Sequence, residues 1–438
     1  MKLNPLASGL NERLETAAPE VAEMLSPMGR GLYFPKGILS QSAEATEKAS
    51  RYNATIGIAT ENSQAMHLST MARYIECLSP DETFPYAPAG GVQSLRALWS
   101  EKQRRENSNM QGKVVGLPIV TSAITHGLGL VGDLFVGPSD RILLPDKLWG
   151  NYRLTYEVRY GATIGTFPFF SGSCFNVAGF KEALAREAAA HSKLVIILNF
   201  PNNPTGYMPT VEESREIVSS LLATADSGTK LVVICDDAYF GLFYHLGGES
   251  SKESLFGELV GRHQNLFSIR LDGATKELFA WGLRCGFLTL GPGGRDSAEE
   301  VIDVLDAKLR GAIRSGVSNS PLLSQTLVER CLTDLESIKE RDDKIEILRE
   351  RAERVDLSAR SSRFSDSWEV YPFNSGYFMC LKIKGVSAEN VRRHLLDRYQ
   401  TGLIATAEHD LRVAFSCLEL EEIEPLFELI DRSVRDLA

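Results

Sequence analysis

Through the middle of the chain, short apolar runs alternate with longer stretches in which apolar residues recur every three or four positions. The runs LVIIL at 194–198 and LVVIC at 231–235, and the similar stretches 142–144 and 266–269, are bounded by Gly, Pro and Asp. Runs this short and this uniformly apolar predict strands buried on both faces. Residues 211–225 carry the helical period, and residues 123–127 lead into a helix running to Phe135. Strands alternating with helices predict a mostly parallel α/β sheet. From about Leu323 the pattern changes to long helices rich in Glu, Arg and Leu, broken by a strand-like stretch at 377–383 before a closing helix at about 420–437. The first 65 or so residues read as irregular. The organisation expected is an N-terminal arm and part of a small domain at 1–65, a large α/β domain at 66–322, and the rest of a smaller α+β domain at 323–438.

Composition narrows the partners. The chain has 438 residues, 43% hydrophobic and 24% charged, enough to bury a large core without disulfides or a structural metal. Its net charge of −10 comes with no basic stripe, which argues against nucleic acid. The acidic residues Glu419, Glu421, Glu422 and Glu424 read as a solvated helix face. Seven cysteines, scattered and without a C-x-x-C pair, read as reduced thiols rather than zinc ligands or a disulfide framework. No stretch approaches the roughly 18 apolar residues of a membrane span, and the N-terminus lacks the apolar run of a signal peptide. A cytoplasmic protein with no membrane partner is expected.

Four segments, in this order, carry candidate chemistry: NFPNNPTG at 199–206, DDAY at 236–239, ATKELFAWGLRCG at 274–286, and RVAF at 412–415. The first two follow predicted strands, where ligands collect in open α/β sheets. Together the four resemble the class I/II aminotransferases of pyridoxal 5'-phosphate (PLP) fold type I, the aspartate and aromatic aminotransferase kind. The resemblance runs from about Asn53 to Phe415 and implies that fold, a large mostly parallel α/β domain with a smaller domain from both termini.

The resemblance implies a Schiff base between PLP and Lys276, whose amine then serves as general base. Alone, a lysine is usually a surface residue; Arg284, eight residues on inside GLRCG, changes that weighting and is implied to fork onto the cofactor phosphate. Asp236 is implied to hold the pyridine nitrogen protonated, although a strand-end carboxylate alone reads as a cap or turn residue. Asp237 is expected to point to the other side. Tyr239 and Asn203 resemble the pair that bonds the cofactor's phenolic oxygen. Trp149 resembles the aromatic that stacks on the ring, and Tyr152 stands where the family's aspartate enzymes carry a histidine that backs the pyridine carboxylate, so that relay is altered here.

For the phosphate, the helix start at Ala123, Ile124 and Thr125 resembles the family's phosphate loop. A serine frequent three residues before the lysine is Gly273 here, with Thr275 or Thr125 as candidate substitutes. Tyr86 resembles the tyrosine that reaches the neighbouring subunit's phosphate, which implies a homodimer with shared sites. Arg412 is implied to grip the substrate α-carboxylate, with Gly57, Asn203 and Trp149 beside it. Arg314 falls on a second-carboxylate arginine when Ser318 and Asn319 are the anchor, which favours aspartate and leaves aromatic and aliphatic donors open. The function implied is transfer of an amino group from an L-amino acid to a 2-oxo acid. The alternatives are a PLP lyase or decarboxylase using the same site and, from another class, a ligand sensor carrying a DNA-binding module, for which the first 65 residues leave little room.

Overall fold

The computed structural model describes residues 3–34, 37–244, 246, 250–294 and 296–438. Among them, seven strands form the main sheet: β1 (Ile119–Thr121), β2 (Arg141–Pro145), β3 (Thr163–Phe167), β4 (Lys193–Asn199), β5 (Lys230–Asp236), β6 (Leu266–Gly273) and β7 (Gly286–Gly291). Their order is β1-β7-β6-β5-β4-β2-β3. All neighbours are parallel except at β7, which runs antiparallel to both β6 and β1.

The uniformly apolar runs have a direct physical use. Along β4, Leu194, Ile196 and Leu198 enter one core with Phe180, Leu184, Ile217 and Leu221 from the helices Val177–Ala190 and Val211–Asp226. Val195 and Ile197 enter another with Ile124, Leu128, Leu309 and Ile313 from the helices Ala123–Phe135 and Ala298–Gly316. Helices therefore cover both faces, and no strand residue in the middle of the sheet can be polar without a partner.

A second sheet, of four antiparallel strands, joins β8 (Trp368–Val370), β9 (Phe378–Ile383), β10 (Ile404–Ala405) and β11 (Asp410–Ala414) in the order β8-β9-β11-β10. Helices Leu335–Ala359, Ala388–Tyr399 and Leu420–Leu437 bury Val355, Leu395, Leu426 and Ile430 in the same core as Leu381 and Leu411. The N-terminal segment meets this unit. Tyr52–Asn53 pairs in parallel with Thr401–Gly402, and the Gln41 side chain exchanges two hydrogen bonds with the Ala405 backbone at 3.2 and 2.9 Å.

The first 65 residues are not irregular. They hold helices Pro5–Ala17, Pro19–Met24, Pro27–Gly31 and Ile38–Lys48. Three begin with proline, and Asn4 and Ser26 cap two of them by accepting from the Leu6 and Gly29 amides. These start signals sit beside too little apolar periodicity for the pattern to be read. The strands β1, β3 and β7 also lie outside the apolar runs, being short or built with Thr and Gly. Among the described residues no helix is long and apolar enough to cross a membrane, and no His, Cys, Asp and Glu cluster could hold a metal. All seven cysteines are free, four of them buried.

Candidate active site

The register of the main sheet brings five chain segments to one edge. Asp236 at the end of β5 sits level with Asn199 of β4 and Leu271 of β6, while Gly273, Gly286 and Thr121 form one row across β6, β7 and β1. The loops leaving this edge line a cavity that opens to solvent. Ten predicted residues line it: Ala123, Ile124, Thr125, Trp149, Asn203, Asp236, Tyr239, Thr275, Lys276 and Arg284. Tyr152, Asn199 and Ala238 complete the wall.

Asp236 is 1% exposed. Its Oδ2 accepts from the Tyr152 hydroxyl at 2.6 Å and its Oδ1 from the Ala238 amide at 3.2 Å. Burial raises its pKa, while the Tyr152 and Ala238 donors and the nearby Lys276 charge oppose that rise. Lys276 leaves the short helix Ala274–Glu277 with its ammonium 5.1 Å from the centre of the Tyr239 ring. Burial brings its pKa down to about 8, against the pull of Asp236 and with help from Arg284. An amine so placed is a competent nucleophile and base near neutrality. Asp237, one residue on, turns away and pairs with Arg270 at 2.8 Å.

The opposite end of the cavity is built to hold an anion. Helix Ala123–Phe135 presents first-turn amides that have no intrahelical acceptor. Ala123 and Arg284 both have positive φ, 63° and 53°, and such backbone is retained where a site over-determines it. The Arg284 guanidinium donates to the Trp281 carbonyl at 3.1 Å and has no carboxylate partner among the described residues. Thr275 is buried, and its Oγ1 has no hydrogen-bond partner. Gly273 cannot be serine without movement of the main chain: a Cβ there would lie 2.8 Å from the Gly286 Cα and 2.9 Å from the Cys285 carbonyl.

Arg412, 2% exposed on β11, approaches from the second sheet. It donates to the Thr55 carbonyl at 2.8 Å and to Asn203 Oδ1 at 3.2 Å, and its Nε has no partner. Its guanidinium lies 4.2 Å from the centre of the Phe378 ring. Burial lowers its pKa, and no carboxylate among the described residues pairs with it. Asn203 is itself anchored by its amide to Asn199 Oδ1 at 2.8 Å. The same loop closes against β9 at Gly206, whose φ of +73° and approach to the Phe378 carbonyl exclude any side chain, since a Cβ would come within 2.0 Å of that oxygen. Gly57 lies alongside, its Cβ position 3.4 Å from Phe378 and 3.7 Å from the Tyr239 hydroxyl.

Four predicted residues are not part of this lining: Arg412 and Gly57 border it through Asn203 and Tyr239, and Tyr86 and Arg314 stand apart. Tyr86 is 90% exposed. Arg314, in the last turn of helix Ala298–Gly316, is exposed and donates to the Ser318 hydroxyl at 2.6 Å. Conversely, the sequence marks Tyr152 as standing where a family histidine backs the carboxylate, with that relay altered, and gives Asn199 no role of its own. The signals were available: Asn199 heads the first motif, and Tyr152, Tyr156 and Tyr160 recur every four residues.

The sequence pattern of the family described as aminotransferase class I and II matches residues 20–430. Among curated proteins, an aspartate aminotransferase of Bacillus subtilis is 24% identical over 202 residues, 46% of this chain and 47% of that protein. A histidinol-phosphate aminotransferase of Dehalococcoides mccartyi is 25% identical over 263 residues, 60% of each. The matched stretches thus span about half the length of these relatives. Among solved structures, an aminotransferase of Anaerococcus prevotii superposes with a TM-score of 0.83 at 22% identity, covering 94% of this chain and 99% of that one, and so shares its fold. With a family match over nearly its whole length and a fold to go with it, the chain belongs to the aminotransferase class I and II family.

Proposed function

We propose that this chain is a PLP-dependent aminotransferase that takes the amino group from an L-amino acid and gives it to a 2-oxo acid. The observation that carries the reading is the distribution of charge in one cavity. A buried carboxylate, Asp236, and an amine, Lys276, share its wall with the Arg284 guanidinium, Arg412 borders it through its bond to Asn203, and neither guanidinium has a carboxylate partner among the described residues. A ligand pair with a cationic ring nitrogen, an aldehyde, a phosphate and a free α-carboxylate complements each group.

The residues present fit PLP. The orphaned Thr275 hydroxyl and the unpaired Arg284 lie with the first-turn amides of Ala123, Ile124 and Thr125, which is a donor set for a phosphate dianion. When bound, PLP supplies an aldehyde that condenses with amines and a cationic ring that accepts the electron pair left at Cα. Asp236 would hold the ring nitrogen, Trp149 would cover one ring face, and Tyr239 and Asn203 would bond the phenolic oxygen.

The chain's own groups then have distinct tasks. Arg412 takes the α-carboxylate as a bidentate pair and fixes the direction of the Cα–H bond. Lys276 Nζ, neutral in a large fraction near pH 8, removes the Cα proton and later returns one. Asn203 releases the Arg412 guanidinium as the carboxylate arrives. Thr55 keeps it aligned through its carbonyl.

Aspartate is the favoured donor. Several curated relatives bear that name, and Arg314 is a cation whose partner among the described residues is a serine. Because Arg314 and Tyr86 do not line the cavity of their own chain, the reading assigns both to the site of a second subunit in a homodimer. The test mixes purified protein and PLP with aspartate, aromatic or aliphatic amino acids, with and without 2-oxoglutarate. Aminotransfer requires the acceptor and yields one 2-oxo acid per glutamate formed. Pyruvate and ammonia released without an acceptor would establish the lyase instead.

A further inference from the structure

Lys147, two residues before Trp149, and Asp410, two residues before Arg412, meet between the main sheet and the second sheet. The Lys147 ammonium is bonded to Asp410 Oδ2, and Asp410 is buried while Lys147 is partly exposed. Asp410 Oδ1 accepts from the Tyr371 hydroxyl at 2.9 Å. The Lys147 ammonium also lies 5.0 Å from the centre of the Tyr371 ring, which stacks at 5.4 Å and 17° on Phe170, just after β3. Asp410 opens β11, and alternation along the strand puts it on the same face as Arg412. The main chain of the lysine is held as well, its carbonyl accepting from the Asn202 side chain at 3.1 Å.

These contacts close a ring. It runs from the Lys147 side chain to Asp410, along β11 to Arg412, across to Asn203 at 3.2 Å, back one residue to Asn202, and from there to the Lys147 carbonyl. The two segments that carry Trp149 and Asn203 to the cavity wall are so joined to the strand that carries Arg412. The Arg412–Asn203 link is the one that an arriving substrate carboxylate breaks. The Lys147–Asp410 link has an ionised group on both sides, so it holds through that exchange. Further along the second sheet, the Cys380 thiol reaches the Pro204 carbonyl at 3.3 Å, and the Asn374 and Ser375 amides both reach the Gly206 carbonyl at 2.9 Å.

We infer that Lys147 and Asp410 are a positioning pair, which fixes Arg412 relative to the Trp149 wall of the cavity while Arg412 changes partners. The inference rests on the PLP reading above and adds two residues to it. Neither side chain lines the cavity, so the pair acts through Arg412 and not on the cofactor. Its loss therefore falls on ligands that Arg412 must grip. Cofactor uptake, and reactions of amines that bring no carboxylate, are spared. A merely structural prop between the two sheets would weaken all of these together.

The experiment compares wild type with K147M, K147R, D410N and K147M/D410N, each loaded with PLP. Without acceptor, the cofactor's absorbance gives the half-saturation and the limiting rate for the amino acid, aspartate, aromatic or aliphatic, that the wild type consumes fastest. Expected for K147M and D410N is a half-saturation raised about tenfold, inside the range of a 1 Å misplacement, with the limiting rate within about threefold. The PLP dissociation constant by fluorescence, and the rate at which hydroxylamine removes PLP from Lys276, stay within about twofold. The double variant loses no more than either single one, because the two side chains form one bond, and K147R recovers most of the loss. K193M, which breaks a 2.8 Å pair with Asp140 at the far end of β4, leaves every reading unchanged. D410N keeps an acceptor for Tyr371 and lets Lys147 turn to solvent, so it serves even where K147M, which strands a buried carboxylate, does not fold. Unchanged half-saturation, losses that multiply in the double variant, or equal losses toward PLP and hydroxylamine overturn the inference and leave the PLP reading standing. A wild-type protein that takes up no PLP, or whose bound PLP responds to no amino acid, overturns that reading and this inference with it.

Discussion

Two buried ionic regions lie on either side of the segment that carries Lys276, and they are wired in opposite ways. Behind it, Arg270 (fully buried) stands between Asp237 at 2.8 Å and Asp272 at 3.1 Å, and Lys102 bridges Glu106 and Glu277 at 2.6 and 2.7 Å. Each cation there has more than one acid beside it. The Arg270 contacts are ion pairs by proximity, for its Nε and Nη2 lack aligned hydrogen bonds. In front, Arg412 is just as buried and has two carbonyl oxygens and an aromatic face instead of an acid. A buried charge with no counter-charge is costly, so it persists where something outside the chain supplies the partner. Satisfied charge marks scaffold, and unsatisfied charge marks the site.

The comparison can be broken in several places. The largest effect belongs to Lys276→Ala, which is expected to reduce turnover by at least about 10⁴-fold, the upper range for a proton-transferring side chain, with the far-UV dichroism unchanged. Residual turnover within tenfold of wild type would remove Lys276 from the mechanism. Next come two matched arginine variants. Arg270→Met leaves Asp237 and Asp272 buried without their cation and should cost about 3–5 kcal/mol of stability in denaturant titration. Arg412→Met removes a charge that has no acid to leave behind, so Tm should hold or rise, while kcat/KM falls by about 2–5 kcal/mol. Equal stability losses for the two would erase the contrast.

Smaller effects probe the anion end. Gly273→Ser drives a side chain into the β6–β7 backbone and should cost about 1–3 kcal/mol in stability. Thr275→Val removes a hydroxyl that has no partner among the described residues, so stability is kept while PLP affinity drops about tenfold. Both are read by thermal melting and cofactor titration. The gentlest perturbation is one proton. Since Lys276 reacts with the aldehyde as the free amine and burial sets its pKa at about 8, PLP capture should accelerate about tenfold per pH unit below that value and level off above it. A profile still climbing to pH 10 would return Lys276 to an ordinary solvated lysine.

How much of this could be read from the chain itself depends on what each residue touches. The central strands were legible because burial on both faces leaves no polar position, as in LVIIL and LVVIC. The strand β7 was not, because its antiparallel insertion is a property of the whole sheet and its Gly and Thr carry no period. The N-terminal helices hid behind weak amphipathicity, their information lying in the Pro starts and the Asn4 and Ser26 caps. Within the cavity, Asp236, Tyr239, Lys276 and Arg284 each belong to a motif legible in the sequence and are brought to one wall. Tyr152 is 84 residues from the carboxylate it bonds; the resemblance put a residue behind that carboxylate, and the fold shows that a tyrosine hydroxyl still reaches it. The choice of Asp236 over Asp237 did follow from strand alternation, and the Arg270 pair shows where the second carboxylate went.

The Asn203 oxygen on Arg412 stands in for a carboxylate oxygen, while the Thr55 carbonyl keeps the guanidinium aligned. The fold therefore already holds its gripping side chain in place, with the Asn203 amide oxygen as understudy. An incoming amino acid does not have to gather a disordered arm. It exchanges a weak dipole for a full charge at one end of a ready-made fork, and the rotameric order that capture usually demands has been spent during folding.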